Sequence, residues 1–221
     1  GTIAPWAAVG AAVASATKYL LDASKVAAES NEIQAKQEAI LKATGFAAGL
    51  TAGELGRMAD ETSKLNAVDD ELIADAQSML LTFRNIGEKE FPRALQAAID
   101  LSTTFGGLEQ SSMQLGKALQ DPAKGMTALA RSGVTFSEQQ QEQIKYFQDT
   151  NQLAKAQAII LAEIENQVGG TAAAIADAGD GSKQLNIALE NLSEEIGTGL
   201  LPATRTWNLA LAELIDDTAH Y

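Results

Sequence analysis

Short stretches of helical periodicity, each closed by a stop signal, run along almost the whole sequence and constrain the fold more than any other feature. Apolar residues recur every three to four positions, and no convincing run of alternating apolar and polar residues predicts a strand. The start signals are Thr51 with Glu54, Asp121 with Pro122, and Ser137 with Gln140, and the stop signals are Gly106-Gly107, Gly133 and Gly169-Gly170. These breaks forbid one continuous rod. The sequence therefore predicts an all-α fold, a multi-helix module of short amphipathic helices.

The first helix is the exception in length. Pro5 suits the first turn of a helix, and the helical pattern continues to Thr44 before Gly45 ends it. One apolar column repeats along it every seven residues: Tyr19, Val26, Ile33 and Ile40. The other seam positions are charged, at Asp22, Glu29 and Lys36, so the seam is narrower than that of a two-column coiled coil. Two hypotheses stay open: the column packs on a neighbouring surface, or it mediates self-association between copies of the chain.

The breaks divide the chain into three predicted regions. Residues 1–44 form the N-terminal helix with an apolar start, residues 45–170 a helical globular module, and residues 171–221 a linker followed by C-terminal helices. The stretch 171–181 is rich in Ala and Gly, which predicts a linker or a poorly packed helix. Ser182 then caps a helix that Gly197, Gly199 and Pro202 are expected to interrupt. The apolar stripe of that helix consists of Leu185, Leu189, Leu192 and Ile196.

The charge and the residue inventory exclude several classes of function. A formal net charge of −13 argues against nucleic-acid binding, because phosphates require clustered Lys and Arg. The chain has no cysteine, and His220 is its one histidine, so no nucleophile–base set and no His- or Cys-based zinc site can be assembled. No phosphate-binding glycine loop occurs. A calcium loop starting at Asp177 fails, because Gly179 and Gly181 occupy ligand positions. The sequence thus predicts no enzyme, no cofactor and no metal site.

The first residues are apolar and uncharged. Residues 3–16 fall short of the ~20 apolar residues that span a bilayer, and they lack the basic region of a signal peptide. Because the chain starts at Gly1, we expect it to be an excised or processed piece of a longer protein. A buried or self-associating helix is the favoured interpretation of this segment. Membrane contact through residues 1–17, as part of a truncated membrane segment, is the alternative.

Residues 115–140 contain a specific motif. It consists of Lys-Ala-Leu at 117–119, Asp121-Pro122, Gly125, a short helix with Leu129, then Arg131, Gly133-Val134, Phe136, and Glu-Gln-Gln at 138–140. In this order the segment resembles the recurring pattern of phage tail tape measure proteins. In that family a helix ending in Phe-Gly-Gly follows, and residues 156–170 match it with Val168 in place of the aromatic. Weaker similarity at 39–45 and 76–86 extends the resemblance to about residues 29–205.

The resemblance implies a structural role. Tape measure proteins occupy the lumen of the tail tube, set its length during assembly and leave during genome delivery. The implied partners are other copies of the chain, tail tube and distal tail proteins, and tail assembly chaperones; the implied locations are the virion tail and, during assembly, the host cytoplasm. The motif residues with implied structural roles are Asp121, Pro122, Gly125, Gly133, Phe136, Gly169 and Gly170. The alternatives are a peptidoglycan-degrading segment, because some family members contain such domains, and a membrane-inserting helical segment.

Overall fold

Helices alone make up the regular structure of the protein in the part of the chain that can be described. The structure is a computed structural model that describes the backbone of residues 5–131 and 133–219 and the side chains of residues 18–131, 133–202 and 206. Within these residues no strand occurs, and the helices are α1 (Pro5–Thr44), α2 (Ala52–Asn66), α3 (Asp70–Leu81), α4 (Glu90–Phe105), α5 (Leu108–Gln120), α6 (Pro122–Arg131), α7 (Glu138–Asp149), α8 (Leu153–Val168), α9 (Thr171–Ala178) and α10 (Ser182–Ala219). The predicted all-α fold with a long first helix is confirmed.

Local chemistry fixes the start of α2 and of α7. The Thr51 hydroxyl accepts the backbone N–H of Glu54 at 3.3 Å, and the Glu54 carboxylate accepts the N–H of Thr51 at 2.8 Å. Ser137 and Gln140 repeat this reciprocal pair at 3.3 and 2.8 Å. Each pair satisfies two of the amides that a helix start leaves without partners. Both predicted capping boxes are therefore confirmed.

The expected interruption of the last helix is wrong, because α10 continues through Gly197, Gly199 and Pro202. Gly197 is where α10 meets α1: a Cβ there would overlap the backbone carbonyl of Ala23. The close approach of the helices compensates for the poor helix propensity of glycine. Pro202 lies inside this 38-residue helix and removes one backbone donor from it. Tertiary packing thus overrides the local stop signal at Gly197, whereas no contact of the described residues explains the continuity of the helix at Gly199 and Pro202.

The chain divides into two compact units, residues 1–32 with 186–221, and residues 33–185. In the first unit, the N-terminal part of α1 lies against α10. Ala23 and Ala27 are buried there beside Gly197, and the hydroxyls of Tyr19 and Ser193 share a hydrogen bond of 3.2 Å. The two helices therefore pack closely against each other through small side chains.

The second unit contains the main apolar core. Its central helix α4 contacts α3, α5, α8 and α9. Phe91, Leu95 and Ile99 of α4 are fully buried, as are Leu119 of α5 and Ile160 of α8. Burial of large side chains at this spacing gives each helix one apolar face and accounts for most of the stability of such a module.

Buried glutamine amides connect helices within the second unit. The Gln77 amide donates to the Leu55 carbonyl at 3.0 Å and accepts the side-chain amide of Gln37 at 3.0 Å. The Gln157 amide donates to the carbonyls of Asn85 and Leu119 at 2.7 and 2.8 Å. Each bond satisfies a backbone or side-chain group that burial would otherwise leave without a partner. Neutral side chains thereby fix helices that are distant in sequence.

Candidate functional site

Residues 121–149, which we call the motif hairpin, contain α6, α7 and the extended stretch between them. Asp121 and Gln148 cap α6 together: Asp121 Oδ1 accepts the N–H of Lys124 at 3.4 Å, and Gln148 Oε1 accepts that of Ala123 at 2.7 Å. Gln148 Nε2 donates to Asp121 Oδ1 at 2.9 Å, which ties the end of α7 to the start of α6. Hydrogen bonds to Lys124, and then to Gln148, hold the pKa of Asp121 below its ordinary value. Asp121 thus lies where the sequence predicts a cap.

Gly125 and Pro122 shape the contact between α5 and α6. A Cβ at Gly125 would overlap the Cα of Ala118 and lie 2.6 Å from its Cβ and 2.8 Å from its carbonyl oxygen. Because two of these atoms are backbone, no side-chain movement relieves the overlap. Pro122 is buried in the first turn of α6, where its missing N–H removes no helix bond. Glycine is therefore required at 125 for this crossing.

Gly133 ends α6 in a left-handed conformation with φ of 103°. Its N–H donates to the carbonyl of Ala130, and the N–H of Val134 donates to that of Leu129, at 3.2 and 3.1 Å. This is the paired arrangement of a Schellman C-cap, with Val134 and Leu129 both buried as that motif favours. A Cβ on Gly133 would overlap the ring of Phe105. Two independent restrictions therefore select glycine here.

The stretch after Gly133 is held by side-chain amides. The Gln167 side chain accepts the N–H of Thr135 at 3.1 Å and donates to the Thr135 carbonyl at 2.6 Å, as a neighbouring strand would. The Gln141 amide donates to the carbonyl of Phe136 at 3.0 Å. Phe136 is half-buried and packs against the core. The motif residue Phe136 therefore packs the motif hairpin against the core of the second unit, to which the hairpin belongs.

A shallow open groove lies beside this stretch, lined by Thr135, Phe136, Ser137, Gln139, Gln140, Gln143 and Glu163. Glu163 is its carboxylate, and it accepts the amides of Gln140 at 2.5 Å and Gln167 at 2.6 Å. Hydrogen bonds from Gln167 first, and from Gln140, lower the pKa of Glu163. A carboxylate that is stabilised in its charged form by two amides is a poor general base. The Glu163 carboxylate therefore holds two side-chain amides, of Gln140 on α7 and Gln167 on α8, at the wall of this groove.

Gly169 and Gly170 lead from α8 into α9, and a buried carboxylate of α4 receives them. Asp100, only 2% exposed, accepts the N–H of Gly170 at 3.1 Å and that of Ala172 at 3.0 Å. Gly170 has φ of 78°, and a Cβ on Gly169 would overlap the carbonyl of Glu165. Asp100 thus caps α9 from a distant helix, where negative charge is favourable. For residues 171–181 the sequence predicted a linker or a poorly packed helix, and the structure has the helix α9 at Thr171–Ala178.

The apolar column of α1 lies at the edge of the buried face. Tyr19 is 47% exposed, while Val26, Ile33 and Ile40 are half-buried. In the first unit the buried residues of α1 beside this column are Ala23 and Ala27. In the second unit they are Gln37 and Leu41. Ile40 packs against the main core, so one member of the column serves the fold of the chain itself. Association through the column stays a prediction.

Sequence reasoning missed Asp100, Gln148 and Gln167. For Asp100 the sequence contained an indication of burial, because it is the one carboxylate in the otherwise apolar run Ala97–Leu101. A buried charge in such a run requires a partner, and here the partner is a helix start. The two glutamines gave none, because glutamine is a common residue on solvated helix faces and nothing in the sequence marks these two as buried or paired.

The remaining candidates for chemistry are few in the part of the chain that the structure describes. Asp69, Asp70 and Glu71 form the carboxylate group whose oxygens lie close together. Asp69 accepts the N–H of Leu72 at 3.1 Å and so acts as the cap of α3. This cluster therefore has a structural explanation.

Comparisons with known proteins add no relative. No protein-family model, no curated protein and no solved structure matches this chain. Among the residues that were described, no helix combines the length and the apolar character that crossing a membrane requires. The side chains of the apolar start, residues 1–17, lie outside the described ones.

Proposed function

We propose that the chain is a structural segment of a phage tail tape measure protein, which acts in tail length determination and tail assembly and is released during genome delivery. The supporting observation is the motif at residues 115–140 together with what its residues do in the fold. Asp121 caps a helix, Gly125 permits a close helix crossing, and Gly133 closes the helix that follows. Every one of these roles is architectural.

The two long helices suit a ruler and the compact second unit suits a module along it. Helix α1 has 40 residues and α10 has 38, so each is ~60 Å long at ~1.5 Å per residue. In the proposed role, the chain lies in the tail lumen with other copies of itself. Its further partners are tail tube and distal tail proteins and, in the host cytoplasm, tail assembly chaperones.

The decisive experiment changes the length of α1 in the full-length gene of the encoding phage or prophage. An insertion of 70 helical residues, ten heptads that preserve the register, is expected to lengthen the tail by ~105 Å in electron micrographs. The variant Gly56→Ala, in open space on α2, is the control and leaves the tail length unchanged. Tails of unchanged length that contain the lengthened protein by mass spectrometry contradict the proposal.

Two assays address the alternatives directly. Release of cell-wall fragments by the purified chain would support a peptidoglycan-degrading segment, and we expect none. Flotation with liposomes, compared between the chain with and without residues 1–17, would support a membrane-inserting segment if it depended on those residues. We expect no flotation in either form.

A further inference from the structure

Large apolar side chains lie exposed together on the first unit, and we call this surface the leucine face. On α10 it consists of Leu189, Leu192 and Ile196, which are 54%, 49% and 36% exposed. From α1 it adds Tyr19, 47% exposed, whose hydroxyl bonds Ser193 directly after Leu192. The face is therefore continuous across the two helices.

The pairing of α1 with α10 leaves this face uncovered. The helices approach through the small residues Ala23, Ala27 and Gly197, so large side chains are not needed between them. Successive residues of a helix turn by ~100°, which places the leucine stripe about a quarter turn from Ser193 and Gly197. The stripe thus points to a second direction, in which the chain itself supplies no partner among the described residues.

We propose that the leucine face is the site at which two copies of this chain pair. The spacing of Leu189, Leu192 and Ile196, three and then four residues, is that of the core positions of a coiled coil. Side chains at this spacing fill the holes between the same side chains of an identical helix, so the face is complementary to itself. This pairing does not depend on the proposed tail function. A result that overturns the pairing leaves the tail function standing, and a result that overturns the tail function leaves the pairing standing.

The area of the face fits a dimer of modest affinity. About half of four large side chains is exposed, on the order of 350 Å² of apolar surface. If a polar rim completes the contact to the usual composition of roughly 60% apolar area, the contact covers about 600 Å² per copy. Two copies then bury about 1,200 Å², the lower end of the range for specific complexes. Because an interface of this size gives modest affinity, we expect the fraction of paired chains to rise with protein concentration.

The effect of salt on binding distinguishes a second copy of the chain from a basic partner. On α10 the neighbours of the stripe are the uncharged Ala188, Ser193 and Gly199, with Glu195 at its edge. On α10, two copies can therefore meet without burying a charge. On α1, the exposed Lys18 and Asp22 flank Tyr19, so this edge of the contact has to stay at the solvated rim, and each copy has a net charge of −13. Screening of this long-range repulsion strengthens the pairing of copies at high salt, whereas salt weakens the binding of a basic partner.

The first test uses the absence of cysteine from the chain. Leu192→Cys is expected to form a disulfide-linked dimer under mild oxidation, because residues at this core position lie opposite each other in a coiled coil. Leu72→Cys, on α3 and 57% exposed, is the matched control and stays monomeric. Equal cross-linking of the two variants overturns the proposal.

The second test measures association by analytical ultracentrifugation of the full chain. We expect the mean mass to rise with concentration in the micromolar range and to rise further at about 0.5 M salt. Replacing Leu189 and Leu192 by Asp raises the dissociation constant at least tenfold, while the control pair Leu65→Asp and Leu72→Asp leaves it within twofold. Circular dichroism should show unchanged helicity, since all four positions are exposed. A chain that stays monomeric at millimolar concentration, or one whose two double variants associate alike, overturns the proposal.

Discussion

Replacing Asp100 by Ala is expected to detach α9 from the second unit. The perturbation removes the one carboxylate that accepts the N–H groups of Gly170 and Ala172. Apart from these bonds, α9 is held by the buried alanines Ala172 and Ala176 and by the Thr171 hydroxyl, which lies 3.2 Å from the Asp100 backbone carbonyl and 3.0 Å from the Thr103 hydroxyl. Its one large residue, Ile175, is 52% exposed. The Asp100 carboxylate therefore supplies the two backbone hydrogen bonds that attach the start of this eight-residue helix to α4.

The magnitude follows from the two bonds. A hydrogen bond to a charged group contributes roughly 1.5–3 kcal/mol, so the loss of both costs about 3–6 kcal/mol in the free energy of unfolding. Two buried alanine methyls contribute only ~1.6 kcal/mol, which is less than the entropy cost of ordering the helix. Asp100→Asn retains one acceptor oxygen and should lose about half as much. Helix α9 therefore opens before the rest of the unit unfolds.

Hydrogen–deuterium exchange with mass spectrometry measures the opening, and urea titration measures the total loss. We expect residues 171–178 to lose protection in Asp100→Ala, with smaller changes in α4 and α8. Asp75→Ala is the control: Asp75 pairs with Lys36 at 2.7 Å on the surface, and such a pair contributes at most about 1 kcal/mol. The reasoning is refuted if α9 keeps its protection, or if the two substitutions cost the same.

Three further substitutions and one double variant test the motif hairpin by thermal and chemical unfolding. Gly125→Ala should cost about 3 kcal/mol or more, because the new methyl meets backbone, whereas Gly56→Ala in open space should stabilise by about 0.5–1 kcal/mol; equal effects would refute the close crossing. Gly133→Ala should cost about 1–3 kcal/mol, through its φ of 103° and the aromatic ring beside it, and an unchanged melting temperature would contradict the assignment. Asp121→Ala should cost about 1 kcal/mol at pH 7. The folded state lowers the pKa of Asp121 and Glu163, so their contribution to the free energy of unfolding is complete above about pH 5 and is lost as the pH falls below about 4. The double variant Asp121→Asn, Glu163→Gln should therefore lose less stability than the unchanged chain between about pH 5 and 3.

The helix ends that depend on neighbouring residues could be predicted from the sequence. Thr51 with Glu54, and Ser137 with Gln140, act over three positions, so the pattern alone contains the bond. The positive φ of Gly133 is likewise local, because the stop signal and the conformation belong to one residue.

Contacts between distant residues could not be predicted in this way. The bond from Gly170 to Asp100 spans 70 positions, and the one from Gln157 to Asn85 spans 72. Neither pair has a spacing rule, since the packing of α4 and α8 brings the partners together. The continuity of α10 through Gly197 has the same origin, because only the contact with Ala23 explains it.

The side chains that join the parts of the second unit consist largely of carboxamides, and this determines how the unit responds to its ionic surroundings. Gln77, Gln157 and Gln167 have no charge, so neither mobile ions nor a change of pH near neutrality alters the bonds that they donate. The described ion pairs, by contrast, lie at the surface, where ions weaken them at little cost to stability. The geometry of this unit should therefore be the same in dilute buffer and in molar electrolyte. Any dependence of assembly on ionic strength then originates at the outer surface of the molecule.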